Sequence, residues 1–212
     1  MPAFIEKREA KLPRLYGIID AGCFATSSSL LAFAEELVQG GCRLLQYRNK
    51  SGNARIMLDQ ARELKKQVGA SASLIMNDRA DLCLVAEFDG VHVGQEDLSP
   101  KAVRAIIGPD RRLGVSTHNP EQLREGDVTS ADYLAIGPVF ATSSKENPDP
   151  VVGLEGVRRA RVLTRKPLVA IGGITRANAA SVIEAGADSV AVISDLLRQP
   201  RNSAEEFLRI LR

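Results

Sequence analysis

The sequence contains no tryptophan and only nine phenylalanines and tyrosines among 212 residues, which leaves little on which the bases of a single-stranded nucleic acid could stack. Charge of one sign is also lacking. Lys plus Arg is 28 and Asp plus Glu is 26, a net charge of +2, too balanced for a protein held mainly by nucleic-acid phosphates. Any anion site must therefore be local. Three cysteines, Cys23, Cys42 and Cys83, are odd in number and widely spaced. They suit neither a disulfide framework nor a zinc ribbon and read as buried or half-buried thiols in a reducing compartment. With only His92 and His118 present, a Cys/His metal site finds too few ligands. The longest uncharged stretch near the start, Ala21 to Ala34, carries Thr26 and three serines and falls short of the ~18 apolar residues a membrane helix needs. The first fourteen residues hold Glu6, Lys7, Arg8, Glu9, Lys11 and Arg14 and offer no apolar signal region, so a cytoplasmic location is expected.

What is present, 44% hydrophobic and 25% charged residues, describes a globular chain of one domain or at most two with a sizeable core. Short β-branched or apolar runs alternate with longer stretches of helical spacing. The runs are Leu15 to Asp20, Leu44 to Arg48, Ser73 to Asn77, Gly90 to Val93, Arg112 to Ser116, Tyr133 to Gly137, Leu168 to Ile171 and Ser189 to Ile193. Several are nearly continuously apolar, as parallel strands covered on both faces should be. Helices are expected over Leu30 to Gln39, Asn53 to Val68, Arg176 to Ala185, 154–164 and 204–211, with a shorter one over 78–86. Ser99 followed by Pro100 marks a further helix start, a capping hydroxyl before a proline that needs no N–H. Eight β/α units in this length point to a single closed (β/α)8 TIM barrel of the α/β class over residues 15–212, behind a polar N-terminal extension at 1–14. A doubly wound open sheet is the alternative.

In such a barrel the residues just past each strand converge on one mouth. Here they are polar at almost every turn: Gln46, Arg48 and Lys50; Asn77 and Asp78; Gln95, Glu96 and Asp97; Ser116, Thr117 and His118; Thr142, Ser143, Ser144 and Lys145; Gly172 and Gly173; Ser194. Arg48, Lys50 and Lys145, brought to one rim, make an anion site. Asp78 and Asp97 beside them supply the carboxylates that Mg2+ bridging a diphosphate requires, substrate oxygens and water completing the octahedron. Singly, Asp78 could instead cap a helix and Asp97 fill a turn. The glycine pair lets backbone N–H groups approach a monophosphate, which barrels often hold between the seventh and eighth loops, here Gly173 and Ile193 to Ser194. His118 could equally act as a base, orient a neighbour or begin a helix. His92, between Val91 and Val93, reads as structural, and Tyr47, by period two, should point toward the helix layer. Two phosphate pockets with a metal between cations imply transfer of a group from a diphosphate to a phosphate-bearing acceptor.

Gln46-Tyr47-Arg48-Asn49-Lys50, Asn77-Asp78-Arg79, Gly94-Gln95-Glu96-Asp97-Leu98, Gly114-Val115-Ser116-Thr117-His118, Gly137-Pro138-Val139-Phe140, Thr142 to Lys145 and Ile171-Gly172-Gly173-Ile174 resemble, in order and spacing, the thiamine phosphate synthase family. The resemblance runs from about Leu15 to the last helix. It implies a transferase of thiamine biosynthesis that condenses 4-amino-2-methyl-5-(diphosphooxymethyl)pyrimidine with a methylthiazole ethyl phosphate, with or without its carboxylate, by dissociative loss of diphosphate. It also implies Mg2+ on Asp78 and Asp97. Arg48, Lys50, Asn77, Ser116 and Lys145 would hold the diphosphate, with Arg48, Lys50, Ser116 and Lys145 as the catalytic set. Gln46 would seat the pyrimidine, with Tyr47 and Asn49 of the same segment counted among the substrate residues. Thr142, Ser143, Ser144, Gly173, Ile193 and Ser194 would receive the thiazole phosphate. Ala141 and Ser144 stand where the family often has proline and threonine, a change in loop stiffness more than in ligation. The related thiazole tautomerases tend to lack the carboxylate pair, and a non-catalytic sensor would need an interaction domain of which the sequence shows no sign. The expected partners are small molecules, with neither nucleic acid nor membrane. A homodimer is compatible with a surface that shows no clear apolar stripe to demand one.

Overall fold

The computed structural model describes residues 11–142 and 149–212. Eight strands and eight α-helices alternate along them: β1 Leu15–Asp20, α1 Ser27–Gln39, β2 Leu44–Arg48, α2 Ala54–Val68, β3 Ser73–Asn77, α3 Ala80–Val85, β4 Gly90–Val93, α4 Pro100–Ile107, β5 Arg112–Thr117, α5 Pro120–Asp127, β6 Tyr133–Ile136, α6 Gly153–Leu163, β7 Leu168–Ile171, α7 Ala179–Glu184, β8 Ser189–Val192 and α8 Pro200–Ile210. Each strand pairs in parallel with the next, and β8 pairs with β1, so the sheet closes and the open-sheet alternative falls. The strands agree with the sequence reading to within a residue.

Local chemistry sets the helix starts. Thr26 and Ser29 form a reciprocal capping box ahead of α1, and Asn53, Ser99 and Asn119 each accept a backbone N–H at the N-termini of α2, α4 and α5. Helix α5 is absent from the sequence expectation. Of its eight residues only Leu123 is a large apolar one, and this buried side chain alone gives no periodic stripe. Helix α7 begins three residues later than expected. Thr175 and Arg176 are engaged elsewhere, the N–H of Thr175 by Asn178 Oδ1 and that of Arg176 by Asp195 Oδ2. Helix α8 starts earlier than expected, with Pro200 in its first turn.

Period two divides the apolar residues into two shells. Leu15, Ile19, Leu45, Tyr47, Leu74, Met76, Val91 and Val93 face the helices, where they meet Leu30, Phe33 and Leu37 of α1 and Met57, Ala61 and Leu64 of α2. Each large side chain buried there stabilises the fold by ~1.5–3 kcal/mol. Tyr16, Ile18, Leu44, Ile75, Tyr133, Ala135, Val169 and Ala191 fill the barrel itself, and Leu12, which the sequence reading placed in the extension, packs with them.

At the end of the barrel where strands begin, one motif occurs three times. Asp89, Asp132 and Asp188 each precede an even strand, and each accepts the N–H of the neighbouring odd strand, from Leu74, Leu113 and Leu168 at 2.9, 2.8 and 2.8 Å. Each carboxylate also meets a cation from the helix before that odd strand, namely Lys65, Arg104 and Arg161.

Cys42 and Cys83 are buried and Cys23 is exposed, all three free. Burial pushes the Cys42 thiol up to about 11 and that of Cys83 to about 12. The expectation of three buried or half-buried thiols fails at Cys23, which lies in the short turn Ala21–Cys23 on the rim. Among the described residues, no helix is long and apolar enough to cross a membrane.

Candidate active site

The ends of β1 to β5 bring a cluster of ionic and amide groups to one mouth. Arg48, last in β2, pairs with Asp20, last in β1. Lys50, two residues further on, lies 2.5 Å from Asp78, which follows β3. Asp78 takes φ +62°, a left-handed conformation that aspartate tolerates better than most residues. Asp97 in the next loop accepts the N–H of Gly94 at 2.7 Å, and its carboxyl reaches that of Asp78. Burial raises the Asp78 carboxyl above the usual range; Lys50 opposes this and Asp97 adds to it.

Asn77, last in β3, is buried, and its Nδ2 has no hydrogen-bond partner. A buried amide left without an acceptor costs about 1–3 kcal/mol, and here it lies in the same wall as Arg48 and Lys50. The carboxylate pair is not a closed cage: among the described residues no group of three His, Cys, Asp or Glu is placed to hold a metal ion. Two carboxylates with room for other oxygens fit Mg2+, which keeps waters and binds through one or two carboxylates plus substrate phosphates.

Below the mouth a hydrogen-bonded chain crosses the barrel. Gln46 Nε2 lies 2.9 Å from the Tyr16 hydroxyl, which lies 3.0 Å from that of Tyr133. Tyr133 is 3.1 Å from His92 Nδ1, and His92 Nε2 is 2.8 Å from Ser116 Oγ. Tyr133 stacks on the His92 ring and meets Tyr16 edge-on. Burial lowers the His92 pKa from 6.5 to about 4, so the ring is neutral, and burial raises both tyrosines. Gly114 makes room for this arrangement, since a Cβ there would sit 2.1 Å from Tyr133 Cζ and 2.4 Å from His92 Nδ1. His92 is buried with both ring nitrogens bonded to protein groups, in keeping with the structural reading, and it links Tyr133 to Ser116. Its neighbours Val91 and Val93 face the helices, so it faces inward, a signal the alternation already contained.

Tyr47 and Asn49 are corrected. Tyr47 is fully buried on the helix side, its hydroxyl on Gln60 of α2, and burial pushes that hydroxyl up to about 12. Asn49 Nδ2 bonds the same Tyr47 hydroxyl and Gln60, at 3.0 and 3.1 Å. Both residues therefore brace the segment that carries Arg48 and Lys50 and do not line the mouth. Thr117 also turns away from it, donating to the carbonyl of Ala135.

On the other side of the rim, Gly172 and Gly173 take φ +100° and +62°. A Cβ at Gly173 would stand 2.5 Å from the Ala141 carbonyl oxygen, so glycine lets the seventh loop lie against the sixth. Thr142 lies beside this contact; Ser143, Ser144 and Lys145 fall outside the described residues. Ile193 and Ser194 open the turn Ser194–Leu196 after β8. Sequence reasoning overlooked Arg176, which joins the seventh and eighth loops by bonding both carboxylate oxygens of Asp195 and also Glu206 of α8. Its two acidic partners hold the guanidinium pKa above its usual value. His118 braces the fifth loop against the sixth, with Nδ1 2.6 Å from the Gly137 carbonyl and 3.5 Å from Asp149.

Known proteins resemble the chain throughout. A family model described as thiamine monophosphate synthase matches residues 15–196. A thiamine-phosphate synthase of Koribacter versatilis is 62% identical over 95% of this chain and 97% of its own. One of Chloroflexus aurantiacus is 43% identical over 85% and 83%. A solved structure of thiamine phosphate pyrophosphorylase from Pyrococcus furiosus superposes with a TM-score of 0.83 at 31% identity, covering 93% of this chain and 95% of that one.

Proposed function

The chain belongs to the thiamine monophosphate synthase family, and we propose that it condenses 4-amino-2-methyl-5-(diphosphooxymethyl)pyrimidine with a methylthiazole ethyl phosphate to give thiamine phosphate and diphosphate. It is a transferase of thiamine biosynthesis acting on small-molecule substrates. The observation that carries the residue assignments is the meeting, at one mouth, of two cations, an unpartnered buried amide and a carboxylate pair.

In this reading the bond between the pyrimidine methylene carbon and the diphosphate oxygen breaks as a dissociative step, and the thiazole nitrogen captures the carbon. The leaving diphosphate gains charge as it departs, so fixed cations and donors aimed at its oxygens lower the barrier. Arg48, Lys50, Asn77 Nδ2 and the Ser116 hydroxyl are those donors, with Lys145 from the sixth loop. Asp78 and Asp97 would hold Mg2+, which when bound would supply Lewis-acid neutralisation of the diphosphate. Asp20 pairs with Arg48 and holds its guanidinium at the mouth. Gln46 meets the aminopyrimidine, and Thr142, Gly173, Ile193 and Ser194, with Ser143 and Ser144 of the sixth-loop sequence, take the thiazole phosphate.

The test is diphosphate release from purified protein given both substrates, with and without Mg2+, together with mass detection of the product. Metal-dependent thiamine phosphate formation is expected. Isomerisation of a thiazole phosphate without coupling would overturn the reading.

A further inference from the structure

We propose that Tyr133 is a positioning residue that gives the hydrogen-bonded chain across the barrel a single direction, so that Gln46 presents a carbonyl acceptor and Ser116 a hydroxyl donor to the mouth. The chain runs Gln46, Tyr16, Tyr133, His92, Ser116, its successive contacts 2.9, 3.0, 3.1 and 2.8 Å. Each hydroxyl has one proton to give, and a neutral imidazole has one N–H and one acceptor nitrogen. A phenol can also accept from both sides, but Tyr16 is buried and its partners among the described residues are Gln46 and Tyr133, so that pattern would strand its own proton. With every proton placed the series has two senses, and the amide at its head selects between them. Nε2 of Gln46 is the group turned to Tyr16, and it can only donate. The Tyr16 proton therefore passes to the Tyr133 oxygen, and the Tyr133 proton has His92 Nδ1 as its acceptor. His92 is then protonated on Nε2 and donates to Ser116 Oγ, leaving the Ser116 proton to point into the mouth. At the head, Gln46 Oε1 faces the mouth, and the described residues give it no donor.

Both ends of the chain are thereby matched to a substrate by the same geometry. An acceptor suits an exocyclic ring amine, and a hydroxyl donor suits a phosphate oxygen. This pairing rests on the function proposed above, whereas the direction of the chain does not. Tyr133 is its pivot, because it bonds both Tyr16 and His92, and it sits against a glycine at 114 where a Cβ would displace it. Tyr133→Phe keeps the ring that packs on Tyr16 and His92 and removes only the link.

The experiment is nitrogen NMR of protein labelled at histidine. The chain has two histidines, and a His118→Gln sample assigns them. His92 is expected as a single neutral tautomer protonated on Nε2 in the wild-type protein. In Tyr133→Phe the tautomers should mix, and kcat/KM for the pyrimidine diphosphate should fall about fivefold or more, the worth of one buried hydrogen bond. KM for the thiazole phosphate should stay put. Protonation of His92 on Nδ1 in the wild-type protein would overturn the proposal, as would a Tyr133→Phe protein whose tautomer and kinetics match wild type. The wild-type spectrum needs neither turnover nor a folded variant, so a wrong tautomer and a wrong enzymatic reading give separate signals.

Discussion

Gly114→Ala adds one methyl group where the inner chain has no space for it. Ordinary van der Waals contact begins near 3.4 Å, and the new Cβ would stand 2.1 Å from Tyr133 Cζ and 2.4 Å from both the Tyr133 hydroxyl and His92 Nδ1. Tyr133 would have to withdraw by about 1.3 Å, the difference between 3.4 and 2.1 Å. It cannot do so freely, since it is 1% exposed and wedged between Tyr16 and the imidazole. Overpacking of this kind costs ~1–3 kcal/mol, and breaking the Tyr133 to His92 bond adds about 1 kcal/mol. Alanine is compatible with the strand backbone and returns ~0.4–1 kcal/mol by restricting the unfolded chain. The net loss is about 1–3.5 kcal/mol, or a fall in Tm of roughly 2–14 °C for a domain of this size. Urea unfolding gives the first figure and calorimetry the second. A double variant with Tyr133→Leu, which has no ring carbon at the clash, should be less destabilised than the sum of the two single changes. A Gly114→Ala protein melting within about 2 °C of wild type would refute the packing argument.

Asp78→Asn should lower Mg2+-dependent turnover about 100-fold while leaving the fold at least as stable. Burial raises the Asp78 pKa, so the ionised carboxylate costs stability above that pKa, and the cost vanishes as pH falls through it. Asparagine also tolerates φ +62°, and Lys50 is too exposed for its ion pair to count for much. A thermal melt beside a metal titration of the rate separates the two effects. His92 runs the other way: folded at about 4 against 6.5, it takes no proton in a window where the unfolded chain does. Stability should rise with pH from 4 to 6.5, by at most about 3 kcal/mol from this group, and His92→Gln should flatten that slope in urea midpoints. Asn77→Asp puts a carboxylate where the unpartnered amide stood; KM for the pyrimidine diphosphate should climb ~10-fold or more in steady-state assays, and an unchanged KM would remove Asn77 from the anion wall.

Much of this was legible in the sequence because a parallel barrel is repetitive. Buried strands read as apolar runs, and the polar residues ending them share a mouth, so Gln46, Arg48, Asn77, Asp78, Asp97 and Ser116 could be named without coordinates. Harder to read was anything that depends on what lies across the barrel. Tyr16 and Tyr133 stand 117 positions apart, and neither strand hints that two hydroxyls meet at its centre. Asp20 reads as an ordinary strand end until Arg48 is set beside it. Alternation correctly sent Tyr47 to the helix side, yet its place between Gln46 and Arg48 counted it among the substrate residues. Adjacency in sequence crossed the barrel wall there. Helix α5 went unmarked because a single leucine anchors it, although Asn119 and Pro120 were present as start signals.

The three aspartates at the far rim have a consequence for how this protein can change. A one-residue slip of any strand would turn its inward side chains outward, and Asp89, Asp132 and Asp188 resist that slip at alternate strand pairs with bonds made entirely at the end remote from the mouth. Shear is thus anchored at one rim and chemistry is written on the other. Loops around the mouth can be exchanged, lengthened or retuned for another phosphate ester without disturbing the anchors. A substitution at Asp132, by contrast, would loosen the barrel while touching no substrate. Drift in specificity and loss of the fold are separate hazards, housed at opposite ends of the same barrel.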